Sequence, residues 1–312
     1  MSESDDPAAT TTLELEDQPT DDFSVDEAKD PSTQSISSSI LRYRTENGRT
    51  YTAFGSGEYL LPNDEDEQER LAPLKKWKRI LDVGTGTGFW AMDVADEHPE
   101  AEVLGVDLSP IQPTWVPPNC SFQIDDLEKE WTFESSFDFI FIRSMIASFK
   151  SWPDILSKAF NYLEPGGYIE VQDNVYPLAS DDCTVQDTHI LKWSELMVEA
   201  ANTIGRPINV APKFESMLED AGFVDIVVIR KRIPMNRWPK RSPDRDLGLW
   251  SCGMLSSSLE GISMGLLTRL GLTVEEVHVL LAKVRRDLCS TEIHGYWNTY
   301  DRLLPRQLIG LR

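Results

Sequence analysis

One short stretch, ILDVGTGTGFW at residues 80–90, constrains this 312-residue chain more than any other. An aliphatic run ends in Asp82 and Val83, and glycines follow at 84, 86 and 88. Such a run ending at a glycine turn reads as a buried strand, and the apolar residues after it as a helix. The turn would present backbone N–H groups beside a helix N-terminus, which makes a small-molecule site. From Arg79 onward strand and helix signals alternate. RILDV, AEVLGVDLS, CSFQID and FDFIFIR read as strands, and GFWAMDVADEH as a helix ending near Pro99. Ser151 caps a helix running through DILSKAFNYL to EPGG, with Pro153 in its first turn. GYIEVQD is the fifth strand, PKFESMLEDAGF a helix closed by Gly222, and VDIVVIRKRI the sixth strand. This order predicts an α/β fold, a parallel sheet with helices on both faces.

Two segments interrupt the alternation. Residues 185–204 place Ile190, Trp193, Met197, Ala201 and Ile204 at helical spacing. Residues 244–290 also read as helical, and end in a helix with Thr273 and Glu276 as a capping box. Val274, Val277, Leu281, Val284 and Leu288 lie along one face of that helix. Both segments follow strands at the carboxyl edge of the sheet, where open α/β folds bind ligands. They are expected to form a helical cap over the site, within one domain spanning 41–312. Residues 1–40 carry eleven Asp or Glu against a single Lys, about half of the net charge of −22. With few aromatics to bury, they read as a disordered acidic tail. PNDEDEQERL, residues 62–71, looks like a helix start.

The glycine spacing sorts the possible ligands. A dinucleotide fingerprint GxGxxG needs glycine at 84, 86 and 89, and position 89 is Phe89. A phosphate loop needs a following Gly-Lys-Ser/Thr, which is absent. Asp82, at the strand end, repels a pyrophosphate and suits a ligand carrying an ammonium or sulfonium group. S-adenosyl-L-methionine carries both, although Asp82 also suits a turn-capping role. The next strand ends at Asp107, 23 residues past Gly84, where an acid accepts ribose hydroxyls. Asp126, with Asp125 as the alternative, is placed to accept from an adenine amine, and Leu127 to lie on the ring. An NAD-linked oxidoreductase shares the ribose acid, but Phe89 and Asp82 oppose it.

The segment from Ile80 to Trp131, ILDVGTGTGFWAMDVADEHPEAEVLGVDLSPIQPTWVPPNCSFQIDDLEKEW, resembles a class I S-adenosylmethionine-dependent methyltransferase. GEYLLPNDEDEQERL, LSPIQPTWVPPN, LEPGGYIEVQD, LKWSELMVEA and GRPINVAPKF narrow the likeness to the fungal LaeA-like group. The resemblance implies a Rossmann-like seven-stranded sheet whose last strand is antiparallel. It also implies cofactor contacts at Asp82, Gly84, Gly86, Gly88, Asp107 and Asp126, with Arg143 near the methionine moiety. One departure stands out. Relatives end in an apolar strand, whereas here YWNTYDRLLPRQLIGLR places Asp301, Arg302 and Pro305 in it. The seventh strand is therefore expected to be short or displaced.

Methyl transfer from a sulfonium needs alignment more than side-chain chemistry, and a base only for a protonated acceptor. Candidate bases are His189, Asp173 and Tyr176, which follow the fifth strand. Tyr43, Tyr51, Tyr59 and Trp90 are candidates for an aromatic wall around the sulfonium. The four cysteines, at 120, 183, 252 and 289, form no CxxC pair, which favours reduced thiols and no metal site. No run is long and apolar enough for a membrane span, and the N-terminus is acidic where a signal peptide is basic. An intracellular protein, cytoplasmic or nuclear, is expected. RKRIPMNRWPKR at 230–241 holds six basic residues and reads as a solvated strand edge, with a nuclear-import patch as the alternative. The overall acidity argues against nucleic acid. Two functions stand ahead of the rest: methylation of a small secondary metabolite, and LaeA-like regulation through a protein partner.

Overall fold

The computed structural model describes residues 77–305, the side chains as far as 300, and the backbone of two strands before them. These are β1 (Tyr43–Glu46) and β2 (Arg49–Thr52), an antiparallel pair. The acidic tail, the helix start at 62–71 and the side chains of Tyr43, Tyr51 and Tyr59 lie outside the described residues.

The main sheet has seven strands. They are β3 (Arg79–Val83), β4 (Glu102–Asp107), β5 (Cys120–Ile124), β6 (Phe137–Arg143), β7 (Leu163–Ala179), β8 (Val227–Pro234) and β9 (Tyr296–Pro305). Their order is β5-β4-β3-β6-β7-β9-β8. β3 sits between β4 and β6, parallel to both, so the strand order reverses beside it. A crevice opens at such a reversal, outside the carboxyl ends of the strands. Burial on both faces explains the unbroken apolar run Phe139–Ile142 of β6. Its Phe139 and Phe141 pack with Ala91 and Ala95 of α1 (Phe89–Glu97), while Ile140 and Ile142 face the opposite layer. That layer holds α2 (Trp152–Asn161) and α4 (Phe214–Ala221). Ser151 caps α2, accepting the Asp154 N–H at 3.3 Å, and Gly222 ends α4 at φ 100°.

The last strand corrects the expectation drawn from Asp301, Arg302 and Pro305. β9 is ten residues long and lies between β7 and β8, antiparallel to both. It is neither short nor displaced. Pairing on two sides holds it in place, and Pro305 falls at its end, opposite Tyr168 and two residues beyond the last β8 pair at Leu303. A proline there interrupts no ladder between two partners. β7 is also longer than GYIEVQD alone, at seventeen residues.

Beyond the carboxyl ends of β7 and β8 three helices form a separate core: α3 (His189–Thr203), α5 (Ser242–Leu267) and α6 (Val274–Cys289). Ile190, Trp193, Met197 and Ala201 of α3 face Val277, Leu281, Val284 and Leu288 of α6 within it. The fully buried Trp193 indole donates to Ser263 Oγ of α5 at 2.8 Å. The capping box at Thr273 and Glu276 is formed. None of the described helices is long and apolar enough to cross a membrane.

Candidate functional site

The turn after β3 is left-handed at all three glycines, with φ of 71° at Gly84, 57° at Gly86 and 80° at Gly88. At two of them a side chain would displace a neighbour. A Cβ on Gly84 would stand 2.2 Å from Met145 Sδ, and one on Gly88 2.3 Å from the Phe122 ring. Gly86 differs, because nothing lies within 4 Å of where its Cβ would be. The backbone here approaches its surroundings as closely as backbone can, and leaves open space at Gly86.

Asp107 ends β4 and is bound to the turn. Its Oδ2 accepts the Gly86 N–H and its Oδ1 the Ser109 N–H, both at 2.9 Å. Gln112 donates from Nε2 to the Gly86 carbonyl at 2.6 Å. Asp82 stands behind the turn at 5% exposure, accepting the Thr85 hydroxyl at 2.6 Å. Burial lifts its carboxyl to about 6, and the charge of Asp107 adds to this. The Thr85 hydrogen bond and the charge of Arg143 pull the other way. The structure thus gives Asp82 both the turn contact and a strained ionisation.

A crevice of about 470 Å³ opens beside the turn. Of the expected residues, Gly84, Asp107, Asp125, Asp126 and Leu127 line it. Asp125 accepts the Asp126 N–H at 2.7 Å, and Asp126 accepts the Glu128 N–H at 3.1 Å. Leu127 is anchored through its carbonyl, which takes the Trp131 indole N–H at 3.0 Å and the Lys158 ammonium at 3.1 Å. Arg143 is exposed at the end of β6, with its guanidinium 5.4 Å from the Phe141 ring centre, and it acts on Asp82 only by charge. Trp90 packs on Phe141 at 4.2 Å among the α1 core residues rather than lining the crevice.

Residues without an assignment from the sequence complete the crevice. The turn Ser144–Phe149 forms one wall. Arg206, from the segment after α3, reaches across to Glu128 at 2.5 Å and also donates to the Ser148 carbonyl. Burial works against the charge of Glu128, but the Lys150 N–H and Arg206 outweigh it and hold the carboxyl below its usual value. The pair is 78 residues apart, so no local spacing announces it. GRPINVAPKF marks the family but gives no hint of this contact.

The three candidate bases part company. His189 lies in a groove between α3 and α6, its N–H donating to Asp287 Oδ2 at 2.6 Å, and is not brought to the crevice. Asp173 is 4% exposed and accepts the N–H groups of Asn174 and of Met145, the residue packed on Gly84. Burial lifts its carboxyl to about 7 against those two hydrogen bonds. Tyr176 lies against Trp297, ring centres 4.9 Å apart and tilted 40°, and burial, helped by the charge of Asp173, pushes its phenol up to about 12.

A family model described as a methyltransferase domain matches residues 58–228. The methyltransferase pytC of Aspergillus terreus is 38% identical over 295 residues, covering 86% of this chain and 90% of that one. The secondary metabolism regulator LAE1 of Cochliobolus heterostrophus is 36% identical over 282 residues, covering 82% and 92%. The protein-methionine methyltransferase laeA of Emericella nidulans is 33% identical over 277 residues, covering 82% and 74%.

Proposed function

This chain belongs to the S-adenosylmethionine-dependent methyltransferases, and from that premise we propose that it methylates a small secondary metabolite with the donor held in the glycine-turn crevice. The observation that carries the siting is the crevice lined by Gly84, Asp107, Asp125, Asp126 and Leu127, with Asp82 buried behind its turn. A buried carboxylate with a raised pKa at the base of the turn is the group that a cationic ligand stabilises. The other residues fit the same donor. Asp107 offers carboxylate lone pairs to a ribose, Asp126 or Asp125 an acceptor to an exocyclic amine, and Leu127 an apolar wall to a purine. The open space at Gly86 leaves room for close approach.

When bound, S-adenosylmethionine supplies an electrophilic methyl group, so the protein's contribution is alignment and exclusion of water. The turn Ser144–Ser148 aligns, and Asp173 is a positioning residue that anchors it through the Met145 N–H. Tyr176 stays a neutral phenol at pH 7 and donates rather than abstracts a proton.

Calorimetry tests the reading. The protein should bind S-adenosylmethionine at micromolar concentration, and Gly86→Arg, which fills the open space at a left-handed φ, should abolish binding without unfolding the chain. Failure of the unaltered protein to bind, or binding of NAD in its place, overturns it. The names of the relatives LAE1 and laeA favour a second reading, regulation of secondary metabolism through a protein partner in the nucleus or cytoplasm. Labelled methyl appearing in extract metabolites supports the first reading; an unlabelled extract and a co-purifying protein support the second.

A further inference from the structure

We infer that a second cavity, of about 410 Å³ beneath α5, is the acceptor site, and that it takes a neutral, ring-bearing small molecule rather than a charged polypeptide side chain. The inference rests on the methyltransferase reading and deepens it. The floor of the cavity comes from the carboxyl-edge side of four adjoining strands: Ser144 just past β6, Asn174 and Tyr176 on β7, Trp297 on β9 and Ile233 on β8. Its roof is one side of α5, including Leu247, Trp250 and Met254. Ser144 lines this chamber and the donor crevice alike, so the two adjoin at one residue. An acceptor seated here lies next to the donor across the Ser144 turn.

The lining sets the chemistry. Its polar groups are neutral, from serines, Asn174 and the Tyr176 phenol, and no Asp, Glu, Lys, Arg or His lines it among the described residues. A charged acceptor would lose water here and meet no counter-ion among the lining residues. A neutral molecule with one or two polar groups meets no such cost. Asn174 Oδ1 is occupied by the Thr299 hydroxyl at 2.7 Å, which leaves the amide hydrogens as donors. Three aromatic walls suit a ring. Tyr176 and Trp297 are tilted 40° to each other, Trp193 braces Tyr176 edge-on, and Trp250 stands opposite on α5.

Size and exposure agree with this. Small-molecule sites run from roughly 300 to 1,000 Å³, and this one holds about two or three fused rings. Trp250 and Met254 are 71% and 70% exposed although they line the cavity, so its mouth is apolar and open. A seated ring covers that surface and returns its burial energy.

The test uses the full chain with S-adenosylhomocysteine and two matched probes, 2-naphthol and its charged counterpart 2-naphthoate, read by quenching of tryptophan fluorescence and by calorimetry. The expected result is saturable binding of 2-naphthol and at least about tenfold weaker binding of 2-naphthoate. Met254→Arg, at an exposed position where the fold tolerates it, should weaken 2-naphthol about tenfold or more and leave S-adenosylhomocysteine affinity within about twofold. Trp250→Ala, the second variant, should weaken 2-naphthol and reduce the quenching. Equal binding of the two probes, unchanged 2-naphthol affinity in Met254→Arg, or displacement of 2-naphthol by a lysine- or methionine-bearing peptide overturns the inference. If S-adenosylhomocysteine binds and 2-naphthol does not, the chamber assignment alone falls. If S-adenosylhomocysteine itself fails to bind, the methyltransferase reading falls first.

Discussion

Asp173→Asn should stabilise the protein progressively as pH rises. In the folded chain burial disfavours the charge of the Asp173 carboxyl and lifts it from 3.8, its value in an open chain, to about 7. Between those values the folded state binds the proton more tightly than the unfolded state. Stability from this group is therefore full below the lower value and lost as pH rises toward the upper one. At about 1.4 kcal/mol for each unit, the loss between pH 5 and pH 8 comes to about 2–3 kcal/mol. Asparagine cannot ionise, keeps an oxygen for the Asn174 N–H, and carries no such slope. Whatever it costs at the Met145 N–H is the same at every pH, so it drops out of the comparison. Asp82, with its own raised carboxyl, has the same sign in both proteins and also cancels. Urea unfolding of the two proteins at pH 5 and pH 8 gives the four free energies. The expected result is a gap, variant minus wild type, that widens by about 2 kcal/mol or more toward pH 8. A constant gap, or one that narrows, would show that Asp173 is not buried as a strained acid, and the argument for its positioning role would go with it.

Three further outcomes follow from the crevice. If Asp82 faces a cationic ligand, ionising it helps binding, so S-adenosylmethionine affinity by calorimetry should rise about tenfold from pH 5 to pH 7.5, and Asp82→Asn should flatten that rise. Alanine at 84, 86 and 88 should not act alike: Gly86→Ala meets only the strain of its φ, roughly 1 kcal/mol, Gly84→Ala adds the turning aside of the flexible Met145 thioether, and Gly88→Ala meets the rigid Phe122 ring and should lower thermal stability most. Arg206→Ala frees Glu128 and the Ser148 carbonyl at the crevice wall, and should weaken S-adenosylmethionine by about three- to tenfold in a titration while leaving helix content unchanged.

Much of this could be read from residues whose meaning is local. The ends of β3, β4 and β6, the caps at Ser151 and Thr273, and the glycine turn each follow from neighbours within a few positions. Asp107, Asp126 and Leu127 reach the crevice because each stands at a strand tip, and strand tips are legible. What depends on pairing across the sheet was not. The polar residues of β9 argue against an interior strand only while its two partners are unknown; with β7 and β8 on either side, residues 298–303 are paired along both edges. His189 misleads in the opposite way, since following the fifth strand in sequence does not bring it near the crevice once Asp287 holds the start of α3. The chamber beneath α5 left little trace because that helix is apolar on several sides, so no stripe sets its lining residues apart.

The turn that separates the two cavities shows how fold and site depend on each other. Ser144 and Ala147 both take left-handed φ, 55° and 57°, without being glycine. Each costs on the order of 1 kcal/mol or more, and such strain persists only where the surroundings over-determine it. Here four contacts from three separate pieces of chain do so. The Ser144 N–H donates to Gln172 of β7, Asp173 accepts the Met145 N–H, Arg206 grips the Ser148 carbonyl, and Gly84 leaves room for the Met145 side chain. Those holders come from the donor turn, the fifth strand of the main sheet, and the segment leaving the helical layer. A glycine would relieve the strain at Ser144, but it would also free the one residue that faces both cavities. Methyl transfer gains most from fixed relative placement of donor and acceptor. A turn strained in itself and held from several sides is how this chain fixes it.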